Sequence, residues 1–275
     1  MRKSIPIMVV ALLLLTSCNF PLGRSTPNEQ DLSTQVAQTL TAWPTPPSTL
    51  TPVPSPTLLY ATATVIPTAT ATITPTVSPD DPVLTLGSPD FIDTFESGSA
   101  FGVKTPYEDQ AIHIEATNGT LLFRSLALYQ GLRWRLTYPF ARDLYLEGTF
   151  TTISCAGTDT YGLMFRAPEY NDGVGYYVGL SCKGQVNFKR FDGSKSYKIL
   201  DWTYAPSVLA GKGQTNRLGV MAEGQKFSIY VNGVLVKTVN DSALNAQGHY
   251  GVFISADETP NFTFAVDEIK EWNLP

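Results

Sequence analysis

The chain has 275 residues, of which 43% are apolar, and a formal net charge of −5. Its 19 Lys and Arg are outnumbered by 24 Asp and Glu and form no stripe, which argues against a nucleic-acid surface. The two histidines, His113 and His249, lie far apart in sequence, which argues against a histidine-rich zinc site.

Taken in chain order, the first element is a leader. Arg2-Lys3 is a basic n-region, Ile5 to Leu15 an apolar h-region, and Leu15-Thr16-Ser17-Cys18 follows directly. This is signal-peptide anatomy, too short for an ordinary membrane span. Thr26-Pro27-Asn28-Glu29 reads as a helix start, with Thr as N-cap, Pro at N1 and Glu at N3. Leu32, Val36 and Leu40 continue the pattern, so a short amphipathic helix is expected over about 27–42. From Trp43 to Pro79 the chain is rich in Thr, Pro, Ser and Ala and carries no Lys, Arg, Asp or Glu. Such a segment cannot bury enough surface to fold. Extended as polyproline, it would span on the order of 100 Å.

Strand signals begin near Phe91 and continue to Trp272. Two turns are well marked, Asn118-Gly119 and Asn232-Gly233, each between alternating apolar runs. Asn-Gly tolerates the positive φ that a type I′ hairpin turn requires at both central residues. In the second hairpin a two-residue loop places Val231 opposite Val234, Ile229 opposite Val236 and Phe227 opposite Thr238. Further runs are Asp143 to Cys155, Tyr161 to Arg166, Val174 to Cys182, Gln185 to Phe191, Arg217 to Ala222 and Gly248 to Ser255. Many short strands with Gly, Asn and Asp turns and no helix predict an all-β sandwich or barrel over 83–275.

Two resemblances sharpen these expectations. Leu15-Thr16-Ser17-Cys18 resembles the bacterial lipobox. It implies that 1–17 is a signal peptide removed on export. Cys18 would carry the lipid, and 18–82 would tether the domain to the outer face of the bacterial membrane in the cell envelope. From about residue 90 to 273 the chain resembles the laminin-G/concanavalin A-like jelly rolls, in particular the 3-keto-disaccharide hydrolase-like branch. The stretches that carry this are Asp93-Thr-Phe-Glu, Asn118-Gly-Thr-Leu, Gly162-Leu-Met-Phe-Arg-Ala, Gly175-Tyr-Tyr-Val-Gly-Leu, Asn216-Arg-Leu-Gly-Val, Tyr230-Val-Asn-Gly and Gly248 to Phe253. The resemblance implies a two-sheet antiparallel jelly-roll sandwich and leaves the chemistry open.

Cys155 and Cys182 close runs with matching ends, Ile153-Ser-Cys-Ala-Gly and Leu180-Ser-Cys-Lys-Gly. An exported protein can join them as a disulfide. In a simple meander, however, their strands would flank the Tyr161 strand, about 9.6 Å apart. A bridge needs Cα atoms within about 7 Å. It therefore requires both cysteines to lie past the strand ends; the alternative is two buried thiols.

Laminarinase-like jelly rolls carry Glu-x-Asp-x-x-Glu on one strand. This chain has no such run, and Asp267-Glu268-Ile-Lys-Glu271 has the wrong spacing. No Gly-x-Ser-x-Gly elbow occurs. No cofactor is expected beyond a structural calcium, for which Asp93, Glu96 and Asp267 are the candidate oxygen ligands. For a binding face the candidates are Arg166, Tyr170, Asn171, Tyr177, Lys189, Trp202 and Tyr204, because aromatic faces among amide and charged groups suit sugar rings or peptides. Alternation sets Tyr177 against Tyr176, Val178 and Leu180, so one of the two sets is core. The loops Tyr170-Asn171-Asp172 and Asp257-Glu258 are the next candidates. Three functions fit: a non-catalytic binding module for carbohydrate, a glycoside-processing enzyme, or an accessory domain that docks on a cell-surface protein.

Overall fold

The computed structural model describes residues 78–275, so Cys18 and the helix expected over 27–42 lie outside the described residues. The C-terminal compact unit is Ala71–Pro275. Among the described residues the first element is a single helical turn, α1 (Val83–Leu86), and fifteen strands follow. These are β1 (Phe91–Asp93), β2 (Tyr107–Glu108), β3 (Ile112–Thr117), β4 (Thr120–Ser125), β5 (Arg133–Ala141), β6 (Leu144–Ser154), β7 (Thr160–Ala167) and β8 (Gly175–Ser181). The rest are β9 (Gln185–Phe191), β10 (Ser196–Tyr204), β11 (Thr215–Glu223), β12 (Lys226–Val231), β13 (Val234–Asn240), β14 (Gly248–Ser255) and β15 (Thr263–Asn273).

All pairings are antiparallel and form two sheets. The nine-stranded sheet runs β13-β12-β11-β6-β15-β4-β3-β2, with β1 also on β15; the six-stranded sheet runs β10-β9-β8-β7-β14-β5. The architecture is the two-sheet jelly-roll sandwich. Its core lies between the sheets and is built by alternation. Leu144, Leu146 and Phe150 of β6 and Val220 of β11 meet Tyr161, Leu163 and Phe165 of β7, Tyr176, Val178 and Leu180 of β8, and Val186 and Phe188 of β9. Residues of β7 and β8 are buried on both faces, because a second apolar cluster covers their other side. All strand pairings and both clusters are internal to this unit, so it carries its own core.

Both Asn-Gly turns are present, with positive φ at Asn118, Gly119, Asn232 and Gly233. The second hairpin departs from the expected register. Val231 pairs with Val234 and Tyr230 with Leu235; a bulge then puts Ile229 opposite Lys237 and Phe227 opposite Val239. One extra residue, Val236, is accommodated on β13, which shifts each later pair by one. Asn232 also does more than turn the chain. Its side-chain oxygen accepts from the Arg217 amide, and its amide nitrogen donates to the Ser207 carbonyl. Replacing Asn232-Gly233 by Ala-Ala should cost about 1 kcal/mol or more at each position from positive φ alone. Chemical denaturation checks this, and a double variant as stable as wild type would contradict it.

Cys155 and Cys182 form a disulfide, with Cα atoms 5.6 Å apart. The meander geometry that argued against it does not apply. β6 lies in the nine-stranded sheet and β7 and β8 in the six-stranded one, so the chain changes sheet at the loop before β7. The bridge thus ties one sheet to the other. Bonds of this kind contribute roughly 2–5 kcal/mol in small exported domains.

Two long strands escaped the sequence reading. β5 carries Arg133, Arg135 and Pro139, and β10 alternates only weakly and contains two register shifts against β9. Both are edge strands, where one side needs no partner and the apolar period is weakest.

Candidate functional site

The outer face of the six-stranded sheet, turned away from the core, carries the candidate site. Alternation assigns its residues. Val186 and Phe188 enter the core, so Asn187 and Lys189 point outward. By the same rule Tyr177 points outward between Tyr176 and Val178, and Phe253 and Ser255 flank the inward Ile254. Two glycines make room on this face. A Cβ on Gly162 would sit 3.0 Å from the Phe253 ring, and one on Gly179 would sit 2.8 Å from Asn187 Oδ1 and 3.0 Å from Phe253. The ring and the amide therefore lie directly on bare backbone.

The face has two parts. At the β5 side, Leu136, Met164, Ala167, Tyr177 and Phe253 form an apolar cluster, with Trp134 and Phe191 packed against it. At the β10 side is a groove of about 220 Å³ lined by Thr160, Asn187, Lys189, Trp202, Ser255 and Asp257 among others. Lys189 joins the two parts, its Nζ lying 6.0 Å from the Tyr177 ring centre and 5.9 Å from that of Phe253.

The groove holds polar groups without protein partners. Asn187 is 7% exposed, and its Oδ1 accepts no hydrogen bond from the described residues. It lies on the bare backbone of Gly179, and a buried amide oxygen left unsatisfied costs about 1–3 kcal/mol. Burial lowers the Lys189 ammonium below its ordinary range, against a smaller opposing pull from Asp257. Burial raises Asp257, helped by the negative charge of Asp159 and opposed by Lys189. Asp159 is the positioning residue here. It is fully buried, and its Oδ1 accepts from the amides of Asp257, Glu258 and Thr259 at 2.8, 2.8 and 3.2 Å, which fixes the loop carrying Asp257. Glu258 completes the loop by accepting from the Thr158 amide and hydroxyl. Asp201 also lines the groove, but both its oxygens are engaged, by Lys198 and by the Trp202 amide. The arrangement offers an amide, an ammonium, a hydroxyl and a carboxylate beside an indole. It can hydrogen-bond a polyhydroxylated ligand while covering one of its C–H faces.

Of the sequence candidates, Lys189, Trp202 and Asp257 of the Asp257-Glu258 loop meet in this groove. Tyr177 lies on the expected outer face, but it is 1% exposed and its hydroxyl donates to the Gly173 carbonyl at 2.5 Å. It supports the floor and is not itself an open platform. Arg166 is a plain correction. Alternation would send it outward with Met164, but a φ of +52° at a bulge opposite Tyr250 turns it inward. There its guanidinium is buried against the Phe227 ring and donates to the carbonyls of Arg142 and Leu244 and to Asp143. Tyr204 is exposed at the far end of β10 and lines neither cavity. Tyr170 and Asn171 line a second, larger cavity at β5. It is the more open of the two, whereas the groove sets an ammonium and a carboxylate beside an indole. The calcium candidates are not brought together. Asp93 caps the Phe95 amide, Asp267 accepts from Thr151, and Glu96 stands by Gly119. Among the described residues no group of three acidic, His or Cys side chains is arranged to hold a metal.

Sequence reasoning missed Asn187, Ser255 and Asp159. The first had a signal: in Val186-Asn-Phe-Lys189 the polar pair shares one face two residues apart. Asp159 had none, because its role depends on a loop a hundred residues later.

No family model matches the chain, and no curated protein matches it. Solved structures do. A Bacillus subtilis protein of unknown function with a galectin-like fold aligns over 68% of this chain and 96% of its own, at 11% identity and a TM-score of 0.51. The fold is galectin-like. The jelly roll also aligns with the carbohydrate-binding module CBM66 from Bacillus subtilis, over 55% of this chain and 86% of that one, at 20% identity and a TM-score of 0.46. It aligns with the kappa-carrageenase from Pseudoalteromonas carrageenovora over 66% of this chain and 92% of that one, at 12% identity and a TM-score of 0.47. At these identities the likeness concerns the fold alone.

Proposed function

We propose that this protein is a lipid-anchored surface protein whose jelly roll binds carbohydrate, without cleaving it, in the groove between β10 and β14. The observation that carries the reading is the groove itself, which sets the Lys189 ammonium and the Asp257 carboxylate beside the Trp202 indole. Sugar hydroxyls both donate and accept, so one sugar edge can satisfy Lys189 and Asp257 together. Trp202 supplies the stacking face. The binding reading is favoured over glycoside processing because Asp201 is committed to Lys198 and the Trp202 amide. Asp201 is also 66% exposed, so it is not a sheltered second carboxylate opposite Asp257 of the kind hydrolysis uses.

A glycan array probed with residues 71–275 tests this. Wild type should bind a defined set of glycans, and Trp202→Ala should weaken that binding more than about tenfold, as loss of a stacked aromatic does. Absence of binding to every glycan would sink the proposal, and release of products from a bound glycan would favour the glycoside-processing alternative.

Anchoring rests on Leu15-Thr16-Ser17-Cys18. Two or three lipid chains hold a protein firmly, each buried CH₂ contributing about 0.8 kcal/mol. Cys18→Ala should release the protein from membranes or leave an unprocessed precursor. Unchanged fractionation with unchanged mass would contradict the anchor.

A further inference from the structure

The second cavity, about 820 Å³, lies at the opposite edge of the six-stranded sheet. It is lined by Arg133, Trp134 and Arg135 of β5 together with Tyr107, Tyr138 and Tyr170. Its charge is unbalanced. The cavity sets two arginines against one acid, Asp109, whose oxygens hydrogen-bond elsewhere: Oδ1 accepts from the amides of Ala111 and Ile112, and Oδ2 from the Tyr107 hydroxyl. Among the described residues neither arginine forms an ion pair. Arg135 is held in place by the carbonyls of Phe101 and Gly102, both at 2.6 Å, and lies over the Tyr107 ring. Among the described residues Arg133 donates only to its neighbour's carbonyl, Leu132 O, which leaves its remaining N–H groups for a ligand. Two unpaired guanidinium groups on a protein of net charge −5 are a local feature, not a property of the whole surface.

We propose that this cavity is an anion-taking glycan site, which receives the carboxylate or sulfate of an acidic sugar on Arg133 while the tyrosines cover the ring. Guanidinium groups match both anions with paired N–H donors. The choice of a sugar over an acidic peptide rests on the carbohydrate-binding reading of the groove, and on the three tyrosines that line this cavity beside the arginines. The apolar cluster between the two sites is buried, so the cavity is a separate site from the groove.

The test is calorimetric titration of residues 71–275 with four probes: a heparin-derived tetrasaccharide, tetragalacturonate, cellotetraose and polyglutamate. At least one acidic oligosaccharide should bind, more weakly as salt is raised, and Arg133→Gln should weaken it about tenfold or more. Which acidic probe binds identifies the anion as sulfate or carboxylate. Trp202→Ala should affect cellotetraose far more than Arg133→Gln does, so the groove and the cavity can fail separately. The inference is overturned if neither acidic sugar binds, or if Arg133→Gln binds them like wild type. It is equally overturned if polyglutamate binds as tightly with the same dependence on Arg133, which would assign the cavity to acidic peptides.

Discussion

Tyr177→Ala should unfold the domain more readily, by about 3–5 kcal/mol, before it does anything to a ligand. That is the usual cost of truncating a fully buried large aromatic. The ring is 1% exposed and meets Phe253 edge-on at 5.2 Å between centres. It packs in one cluster with Leu136 and Met164. Around it the sheet is already dense, with Phe253 lying on Gly162 and Gly179, so little can collapse into the space left. Tyr177→Phe separates the components. It keeps the ring, loses only the bond to the Gly173 carbonyl, and should cost about 1 kcal/mol. Urea denaturation of both variants checks this. A Tyr177→Ala domain as stable as wild type but unable to bind would restore the residue as a platform.

The second large effect is expected at Asp143. Its Oδ1 accepts from the Gly224 amide at 2.7 Å and from Arg166 Nη2 at 3.2 Å, and its Oδ2 pairs with Arg142 at 2.8 Å. The Arg166 side chain is 1% exposed, so Asp143→Ala leaves a buried guanidinium with only backbone acceptors. Breaking such a pair from one side typically costs about 3–5 kcal/mol. Replacing both partners by apolar residues, Asp143→Leu with Arg166→Met, should cost less than Asp143→Ala alone, because no charge is stranded. The pH dependence has a definite sign. Burial pushes the Asp143 carboxyl up, but the Gly224 amide, Arg142 and Arg166 together outweigh it and hold the group below its ordinary value. Its contribution is therefore complete above the unfolded value of about 3.9 and is lost as pH falls through the folded one. The gap between wild type and Asp143→Ala should narrow below about pH 4. A constant gap down to pH 2 would mean the pair contributes nothing through its charge.

Local rules made much of this molecule legible. Asn118-Gly119 and Asn232-Gly233 announced their hairpins because only a few residues accept positive φ, and both turns show it. Alternation correctly separated Tyr177 from Tyr176, Val178 and Leu180. It could not tell that the outer face was covered in turn, because Trp134 and Leu136 come from β5, a strand whose arginines and proline hide its period. The inward turn of Arg166 was illegible for a different reason. One positive φ at a bulge reverses a side chain, and nothing in Phe165-Arg166-Ala167 marks it. The disulfide objection failed at a still longer range. Whether β6 pairs with β7 or faces it from the other sheet is decided by packing between β6, β11 and β15, far apart in sequence.

The claim that glycans enter the groove is tested most directly by nuclear magnetic resonance. Residues 71–275 would be titrated with the glycan that the array selects. The expected shifts concentrate on the side-chain amide of Asn187, the indole N–H of Trp202 and the backbone amides of Ser255 and Asp257. Residues on β3 and β4 of the other sheet should stay still. Shifts confined to the nine-stranded sheet, with Asn187 and Trp202 unmoved at saturation, would contradict the account.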